Sequence, residues 1–134
     1  MGPKKVILAE DDPDDRELFS IFYSDRKDIR LLPSVENGIE LIDYLQRAAS
    51  VQDLPDLIVL DQNMPLMNGK QTLEFLKSSE RFSNIPTVVY STYTDANLIV
   101  ECRKLGASMI AEKPIDHNGY QKMMDDFLGV CKTV

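Results

Sequence analysis

Short apolar runs alternate with helical patterns along this chain of 134 residues, and this alternation constrains the fold more than any other feature. Four of the five runs stop abruptly at a polar residue, and such continuous apolar runs are typical of strands that are buried on both faces of a parallel sheet. Because Pro33 lies inside the second run, we expect that strand at an edge of the sheet. The five predicted strands cover residues 6–9, 29–35, 57–60, 87–90 and 109–111.

Apolar residues at helical spacing fill the segments between these strands and follow the last one. Gly106 directly follows the fourth stripe and is the expected C-cap of that helix. Strict alternation requires right-handed crossovers with helices on both faces. It predicts a flavodoxin-like α/β fold, a doubly wound sheet of five parallel strands in the order 2-1-3-4-5 with five helices. The predicted helix stripes are Leu18, Ile21 and Phe22; Ile39, Leu41, Ile42 and Leu45; Leu73, Phe75 and Leu76; Leu98, Ile99, Cys102 and Leu105; and Tyr120, Met123, Met124, Phe127, Leu128 and Cys131.

Length, charge and cysteine content narrow the class of protein. Residues 1–134 are expected to form a single domain with no room for a second. An excess of 22 acidic over 15 basic residues, a formal charge of −7, argues against binding to a nucleic-acid backbone. No apolar run approaches the roughly 20 residues that span a membrane. The two cysteines lack metal-binding spacing, which indicates a reducing compartment, so we expect a cytoplasmic protein without membrane or nucleic-acid partners.

Polar side chains stand at the carboxyl ends of four of the five predicted strands. Doubly wound sheets bind ligands beyond these ends, at the point where the strand order reverses. The order 2-1-3-4-5 places the first and third strands side by side, so their three carboxylates are expected to converge in one crevice. The residues concerned are Glu10 and Asp11 after the first strand, Asp61 after the third, Ser91 after the fourth and Lys113 after the fifth.

Three carboxylates in one crevice repel one another. At about 4 Å and an effective dielectric near 20, each ionised pair costs on the order of 4 kcal/mol. Proton uptake or a divalent cation relieves this repulsion, and an all-oxygen site with room for water and phosphate suits Mg²⁺. Lys113 adds a positive charge for a phosphate oxygen, Ser91 a hydroxyl donor and Thr92 a backbone N–H. The combination predicts a phosphoryl-transfer site.

Other residues near this crevice have simpler interpretations. Acids at strand ends also cap the helices that follow them. Asp12, Asp14 and Asp15 are expected to form a solvated acidic rim that favours the N-terminus of the first helix. His117, the only histidine, is interpreted as a residue at the start of the last helix.

Four segments of the chain contain the residues of the predicted site together with their flanking strands. They read VILAEDD at residues 6–12, IVLDQNMPLMNG at 58–69, IPTVVYST at 85–92 and GASMIAEKP at 106–114. In this order and spacing they resemble the receiver domain of two-component response regulators. The resemblance covers essentially the whole chain and is that of a stand-alone, chemotaxis-regulator-like receiver domain.

The resemblance implies a role for each site residue. Asp61 would accept a phosphoryl group from a phosphohistidine on a histidine kinase or a phosphotransfer protein. Glu10 and Asp11 would hold Mg²⁺ together with Asp61, directly or through water, and the backbone carbonyl of Asn63 would be a further ligand. Lys113 would pair with a phosphate oxygen and stabilise the acyl phosphate.

The resemblance also implies how the signal leaves the site. Ser91 would swing to hydrogen-bond the phosphoryl group and draw its loop inward. The face formed by the fourth helix, the fifth strand and the fifth helix would contact a downstream protein or a second copy of the chain. The protein would be a phosphorylation-driven switch and not an enzyme, with self-phosphorylation and self-dephosphorylation as its only chemistry. The Lys113–Pro114 peptide bond would be cis.

One position departs from the family pattern, because Ile110 stands where the family usually carries Tyr or Phe, three residues before the lysine. An aromatic flip is not available there, so either the output face responds differently or the loop 91–95 carries more of the change. Tyr93 lies two residues past Ser91. We hypothesise that its ring hinders the attacking water and lengthens the phosphorylated lifetime.

Three other functions remain open from the sequence. A binding module with this fold that does not switch would take up no phosphate at Asp61. A Mg²⁺-dependent phosphohydrolase of the haloacid type would need Asp-x-Asp after a strand, but Asp61 is followed by Gln62 and Asn63. A flavin or nucleotide carrier is disfavoured because no glycine-rich phosphate loop is present.

Overall fold

The computed structural model describes residues 2–131, in which five strands and five α-helices alternate. The strands form one parallel sheet in the order β2-β1-β3-β4-β5, as the sequence predicts. A short 3₁₀ turn, Val51–Asp53, precedes the third strand. The elements are β1 (Lys4–Ala9), α1 (Pro13–Tyr23), β2 (Ile29–Leu31), α2 (Gly38–Gln46), β3 (Leu57–Asp61), α3 (Gly69–Ser78), β4 (Thr87–Ser91), α4 (Ala96–Lys104), β5 (Met109–Glu112) and α5 (His117–Val130).

The second strand is an edge strand, as expected, but it is shorter than its apolar run. It ends at Leu31, and the chain rejoins the sheet only at Val35, which forms an isolated bridge with Ala9. Pro33 lies between these two points and has no N–H to donate to the ladder. The predicted strand 29–35 was therefore too long.

Helices pack on both faces of the sheet, so its central strands are buried on both sides. α1 and α5 cover one face, where Leu8 packs in a cluster with Phe19 and Phe127. α2, α3 and α4 cover the other face, where Ile58 and Leu73 belong to a second apolar cluster. Within the described part of the chain, no helix is both long and apolar enough to cross a membrane.

The buried face of α1 differs from the predicted one. Phe19 and Tyr23 are buried, whereas Leu18 and Ile21 remain 38% and 55% exposed. The helix carries two overlapping apolar stripes, and the aromatic one packs inward because the Tyr23 hydroxyl donates a hydrogen bond of 2.7 Å to the Tyr120 carbonyl on α5. The predicted stripe was wrong for Leu18 and Ile21, whereas Phe22 is half-buried and packs against the same cluster as Phe19 and Tyr23.

α4 ends just before Gly106, as the sequence predicts, although the C-cap itself is Leu105 and Gly106 is the residue that follows it. Gly106 adopts a left-handed conformation with φ +106°. A Cβ at Gly106 would lie 2.8 Å from the Cγ of Lys77. Both the backbone angle and the crowding favour glycine at this position.

Replacing Gly106 by alanine therefore lowers the free energy of unfolding by about 1–2 kcal/mol, because a side chain is strained in the left-handed region. Gly129 is the matched control, since it lies within α5 and a Cβ there would meet no atom within 4 Å. Gly129→Ala is expected to stabilise the protein by about 0.5–1 kcal/mol. Urea unfolding of the two variants measures both effects, and equal shifts would contradict the conformational argument.

Candidate functional site

Three of the predicted site residues meet at the carboxyl ends of β1, β3 and β5. Asp61 is the last residue of β3 and is buried, and Glu10 directly follows β1 and has no exposed surface. Lys113 directly follows β5, and its Nζ lies 2.9 Å from Glu10 Oε1 and 3.3 Å from Asp61 Oδ1. The lysine side chain thus bridges two strands that are not its sheet neighbours.

A further carboxylate joins this cluster from α1. Asp15 Oδ2 lies 2.8 Å from Lys113 Nζ and accepts a hydrogen bond from it. The interpretation of Asp15 as part of a solvated rim was therefore wrong. The other two acids of that segment match the prediction, since Asp12 caps α1 by accepting the Asp14 N–H at 2.8 Å and Asp14 is exposed.

The buried side chain of Tyr90 holds the Glu10 carboxylate in place. The Tyr90 hydroxyl donates a hydrogen bond of 2.6 Å to Glu10 Oε1, and the ammonium of Lys113 lies 4.9 Å from the centre of the Tyr90 ring. Burial, followed by the nearby Glu10 charge, raises the pKa of Tyr90 far above its usual range. The phenol therefore acts here as a hydrogen-bond donor.

An arginine fixes the backbone of the acid pair. Arg16 Nη1 lies 2.8 Å from the carbonyl oxygen of Glu10 and 2.9 Å from that of Asp11, and it donates to both. The Asp12 N–H in turn donates to Glu10 Oε2 at 3.1 Å. The loop between β1 and α1 is thus held from both its backbone and its side chains.

Asp61 is electrostatically the least satisfied group of the cluster. Its Oδ1 is buried without a hydrogen-bond donor, because Lys113 Nζ is near but not aligned to donate. Burial and then the neighbouring Glu10 carboxylate raise the pKa of Asp61 to about 7, against the opposing effects of Lys113 and the Asn63 backbone. Burial disfavours the charged form of Lys113, but its hydrogen bonds to Asp15 and Glu10 outweigh this and raise its pKa.

The loop after β3 is folded tightly against the strand end. The Gly69 N–H donates to the Gln62 carbonyl at 3.1 Å, and a Cβ at Gly69 would lie 2.8 Å from the carbonyl oxygen of Asp61. Asn68 closes a capping box at the start of α3. Only glycine permits this close approach. Asn63 lies on the same loop, two residues beyond Asp61, and is exposed.

The loop after β4 borders the site on its other side. Ser91 is buried, and its carbonyl oxygen accepts the Lys113 N–H at 2.8 Å. Thr92 is exposed, and Tyr93 is 72% exposed. A cavity of about 330 Å³ lies between the two loops and is lined by Asn63, Ser91 and Tyr93, among others.

The donor types of the site fit Mg²⁺, although the side chains are not arranged as a closed metal cage. Among residues 2–131, no group of three His, Cys, Asp or Glu side chains is placed to hold a metal ion. Glu10 is already engaged by Tyr90, Lys113 and the Asp12 N–H. The unpartnered Oδ1 of Asp61 is the oxygen that an added cation would satisfy, and Mg²⁺ commonly takes one or two carboxylates with water and phosphate oxygens.

The sequence prediction and the geometry agree on part of the site. Glu10, Asp61 and Lys113 are brought together, Ser91 is adjacent, and Asp11, Asn63 and Thr92 lie on the exposed rim. His117 begins α5, as interpreted. The Lys113–Pro114 peptide bond is trans, contrary to the expectation, and trans is the lower-energy form of such bonds by about 0.5–1 kcal/mol.

Three functional contacts were missed by the sequence analysis: those of Asp15, Tyr90 and Arg16. For Asp15 a signal was available, since an acid in the first turn of α1 lies at the same sheet edge as the strand ends. For Tyr90 the signal was a polar tip at the end of an otherwise apolar run. No sequence pattern pointed to Arg16, because its partners are backbone carbonyls.

Comparison with known proteins gives matches along most of the chain. A family model described as the response regulator receiver domain matches residues 6–125. A protein-glutamate methylesterase/protein-glutamine glutaminase of Clostridium acetobutylicum is 32% identical, with 92% of this chain and 34% of that protein covered. Response regulator Rre1 of Synechocystis is 27% identical, with 94% of this chain and 52% of that protein covered. The chain thus spans about a third to a half of the length of these relatives.

Solved structures have the same fold. The phosphorylated cyanobacterial phytochrome response regulator RcpA is 26% identical, with a TM-score of 0.80 and 94% of both chains covered. The Mn²⁺-bound form of response regulator Rcp1 also gives a TM-score of 0.80, at 23% identity, with 98% of this chain and 97% of that chain covered.

The raised pKa of Asp61 predicts that Asp61→Asn stabilises the protein. The pKa of Asp61 is about 7 in the folded protein against a reference value of 3.8. Between these two pH values the folded protein holds a proton on Asp61 that the unfolded chain has released. Wild-type stability therefore falls as pH rises from about 4 to 7, by at most about 4 kcal/mol. Since the buried amide also needs partners, we expect a net gain of about 1–3 kcal/mol for Asp61→Asn at pH 8.

Urea unfolding between pH 5 and pH 8 measures this effect. The advantage of Asp61→Asn should grow with pH, whereas Asp25→Asn, at an exposed position, should show no such trend. Equal stability of wild type and Asp61→Asn at pH 8 would show that the buried carboxylate carries no electrostatic cost.

Proposed function

The chain belongs to the response regulator receiver domain family, and on this basis we propose that Asp61 accepts a phosphoryl group from a phosphohistidine of a histidine kinase or phosphotransfer protein. The observation that carries the proposal is the buried Oδ1 of Asp61, which has no hydrogen-bond donor and lies 3.3 Å from the ammonium of Lys113. An unsatisfied carboxylate oxygen beside a fixed positive charge is suited to attack an anionic phosphorus centre.

The proposed reaction is a direct displacement. A carboxylate oxygen of Asp61 attacks the phosphorus atom, and the bond from phosphorus to the donor imidazole nitrogen breaks. The bonding electron pair leaves with that nitrogen, and an acyl phosphate forms on Asp61. Lys113 stays protonated throughout and pairs with a phosphoryl oxygen, so its role is electrostatic.

Mg²⁺ is the proposed cofactor of this reaction. Asp61, Asp11 and the backbone carbonyl of Asn63 would hold it, with Glu10 contributing directly or through water. The contacts of Glu10 with Tyr90 and Lys113 favour the water-mediated role. When bound, the ion neutralises charge on the phosphoryl oxygens.

The proposed output is a change at the β4–α4 loop and α4. The phosphoryl group adds a charge of about −1.5 to −2 to the site. The Ser91 hydroxyl and the Thr92 N–H, at the end of β4, are the proposed hydrogen-bond donors to it. The backbone N–H and the hydroxyl of Thr94 both donate hydrogen bonds of 3.3 Å to Glu112 Oε1, and these bonds connect the loop to the end of β5. Movement of the loop would thereby change the face of α4, β5 and α5, which we propose contacts a downstream protein or a second copy of the chain.

We propose a switch and not an enzyme with an external substrate. The similarity to the methylesterases extends over about a third of their length, so their activity is not assigned to this chain. A cytoplasmic location is part of the same proposal. A non-switching module remains the alternative, because Ile110 lacks the aromatic ring expected for a receiver domain.

Incubation with acetyl phosphate and Mg²⁺ tests the phosphoacceptor, with intact mass as the measurement. We expect one phosphoryl adduct that requires Mg²⁺ and is absent in Asp61→Asn, since the amide cannot form the acyl phosphate. Asp25→Asn, exposed in the loop after α1, is the control and should be modified like the wild type. No adduct on the wild type, under conditions in which Mg²⁺ binds, would favour the non-switching module.

Tyr93 is predicted to lengthen the phosphorylated lifetime, because its exposed ring lines the cavity beside Asn63 and Ser91. Tyr93→Ala should lose the phosphoryl group several-fold faster, since water gains access to the acyl phosphate. Tyr93→Phe retains the ring and should behave like the wild type. Decay of the mass adduct after removal of the donor measures the rates, and unchanged decay in Tyr93→Ala would contradict the prediction.

A further inference from the structure

The ammonium of Lys113 lies near the carboxylates of Glu10, Asp15 and Asp61. It is not hydrogen-bonded to Asp61, the proposed phosphoacceptor. We propose that Asp15 is a positioning residue that holds Lys113 in a resting position and must be exchanged for the phosphoryl group when Asp61 is phosphorylated. This inference rests on the proposed function, which assigns phosphoryl transfer to Asp61.

The distances define the resting position. Lys113 Nζ lies 2.8 Å from Asp15 Oδ2 and 2.9 Å from Glu10 Oε1 but 3.3 Å from Asp61 Oδ1. Lys113 Nζ donates its hydrogen bond to Asp15 Oδ2, and Asp61 Oδ1 has no hydrogen-bond donor. Asp15 therefore competes for the ammonium at the position that a phosphoryl oxygen would take.

Asp15 is the partner that Lys113 can give up. Its side chain is 23% exposed, whereas that of Glu10 is fully buried. Water can solvate Asp15 after the lysine has left, but a buried Glu10 without its lysine would be an uncompensated charge. The Tyr90 hydroxyl also holds Glu10 in place, so the Lys113–Glu10 contact persists while the Asp15 contact exchanges.

Asp15 cannot follow the lysine, because the start of α1 is anchored. Asp12 caps the helix at the Asp14 N–H. Arg16, the next residue along, donates to the carbonyl oxygens of Glu10 and Asp11. The backbone that carries Asp15 is thus fixed, and movement of Lys113 toward the phosphoryl group must break its contact with the Asp15 carboxylate.

Asp14 provides a matched control for this role. It is the neighbouring acid in the same helical turn and is exposed, and no contact between it and Lys113 is present. Asn at either position removes one negative charge near the site and changes long-range attraction of an anionic donor in a similar way. Only Asp15→Asn removes the competition for Lys113.

The test is the rate of phosphorylation by acetyl phosphate in the presence of Mg²⁺, followed by intact mass. In this reaction the Asp61 oxygen forms a bond to phosphorus, and the bond to acetate breaks with acetate leaving. We expect Asp15→Asn to react about three- to tenfold faster than Asp14→Asn. This ratio is the size of effect expected from the loss of a partly exposed ion pair. Asp15→Glu, which restores the carboxylate, should return the rate toward that of the wild type.

The salt dependence of the phosphorylation rate distinguishes loss of the Asp15–Lys113 contact from a change in long-range electrostatic attraction. A general charge effect is screened at about 1 M salt, whereas competition for a partly buried ammonium is screened much less. The difference between Asp15→Asn and Asp14→Asn should therefore persist at high salt. Equal rates for the two variants, with the wild type phosphorylated, would overturn the inference and leave the proposed function intact.

A double-mutant cycle tests the contact without phosphorylation. Urea unfolding of Asp15→Asn, Lys113→Met and the double variant should give a coupling that the same cycle with Asp14→Asn lacks. Absence of this coupling would overturn the inference even if Asp61 is phosphorylated. A coupling without any phosphoryl uptake by the wild type would instead overturn the proposed function and, with it, the exchange of partners.

Discussion

The ion cluster around Lys113 is the interaction on which the rest of the site depends. Its ammonium lies within 2.9 Å of the buried Glu10 carboxylate, whose charge would otherwise be uncompensated in the core. The surrounding contacts serve this arrangement, since Tyr90 donates to Glu10 from below and Arg16 fixes the backbone of the loop that carries it. The parallel sheet makes the cluster possible because it brings the carboxyl ends of distant strands to one edge.

The same cluster leaves Asp61 poorly satisfied. Lys113 donates a hydrogen bond to Asp15 and forms a close ion pair with Glu10, whereas Asp61 Oδ1 has no hydrogen-bond donor. Buried polar groups of folded proteins are nearly always paired, and exceptions are concentrated at functional sites. The loss of stability at Asp61 and the chemistry proposed for it thus have one cause. The Asp61 carboxylate is held beside Glu10 and receives no hydrogen bond from the nearby Lys113 ammonium.

Much of the fold follows from local pattern. The apolar runs located all five strands, and the order expected for a doubly wound sheet of this size is the order observed. The errors came where local pattern was ambiguous. α1 has apolar residues at two overlapping stripes, and only contact with α5 selected Phe19 and Tyr23 over Leu18 and Ile21. Strand β2 ended at Leu31 because Pro33 interrupts its hydrogen bonds.

For the site, the sequence alone determined which charged groups reach the sheet edge, since Glu10 and Lys113 directly follow a strand and Asp61 is the last residue of one. The tertiary structure decided how those charges are shared. The pairing of Asp15 with Lys113 joins residues 98 positions apart, and the Tyr90–Glu10 hydrogen bond spans 80. Such contacts depend on the rotation of α1 and the reach of single side chains, and these are fixed by packing across the sheet and not by the spacing of residues along the chain.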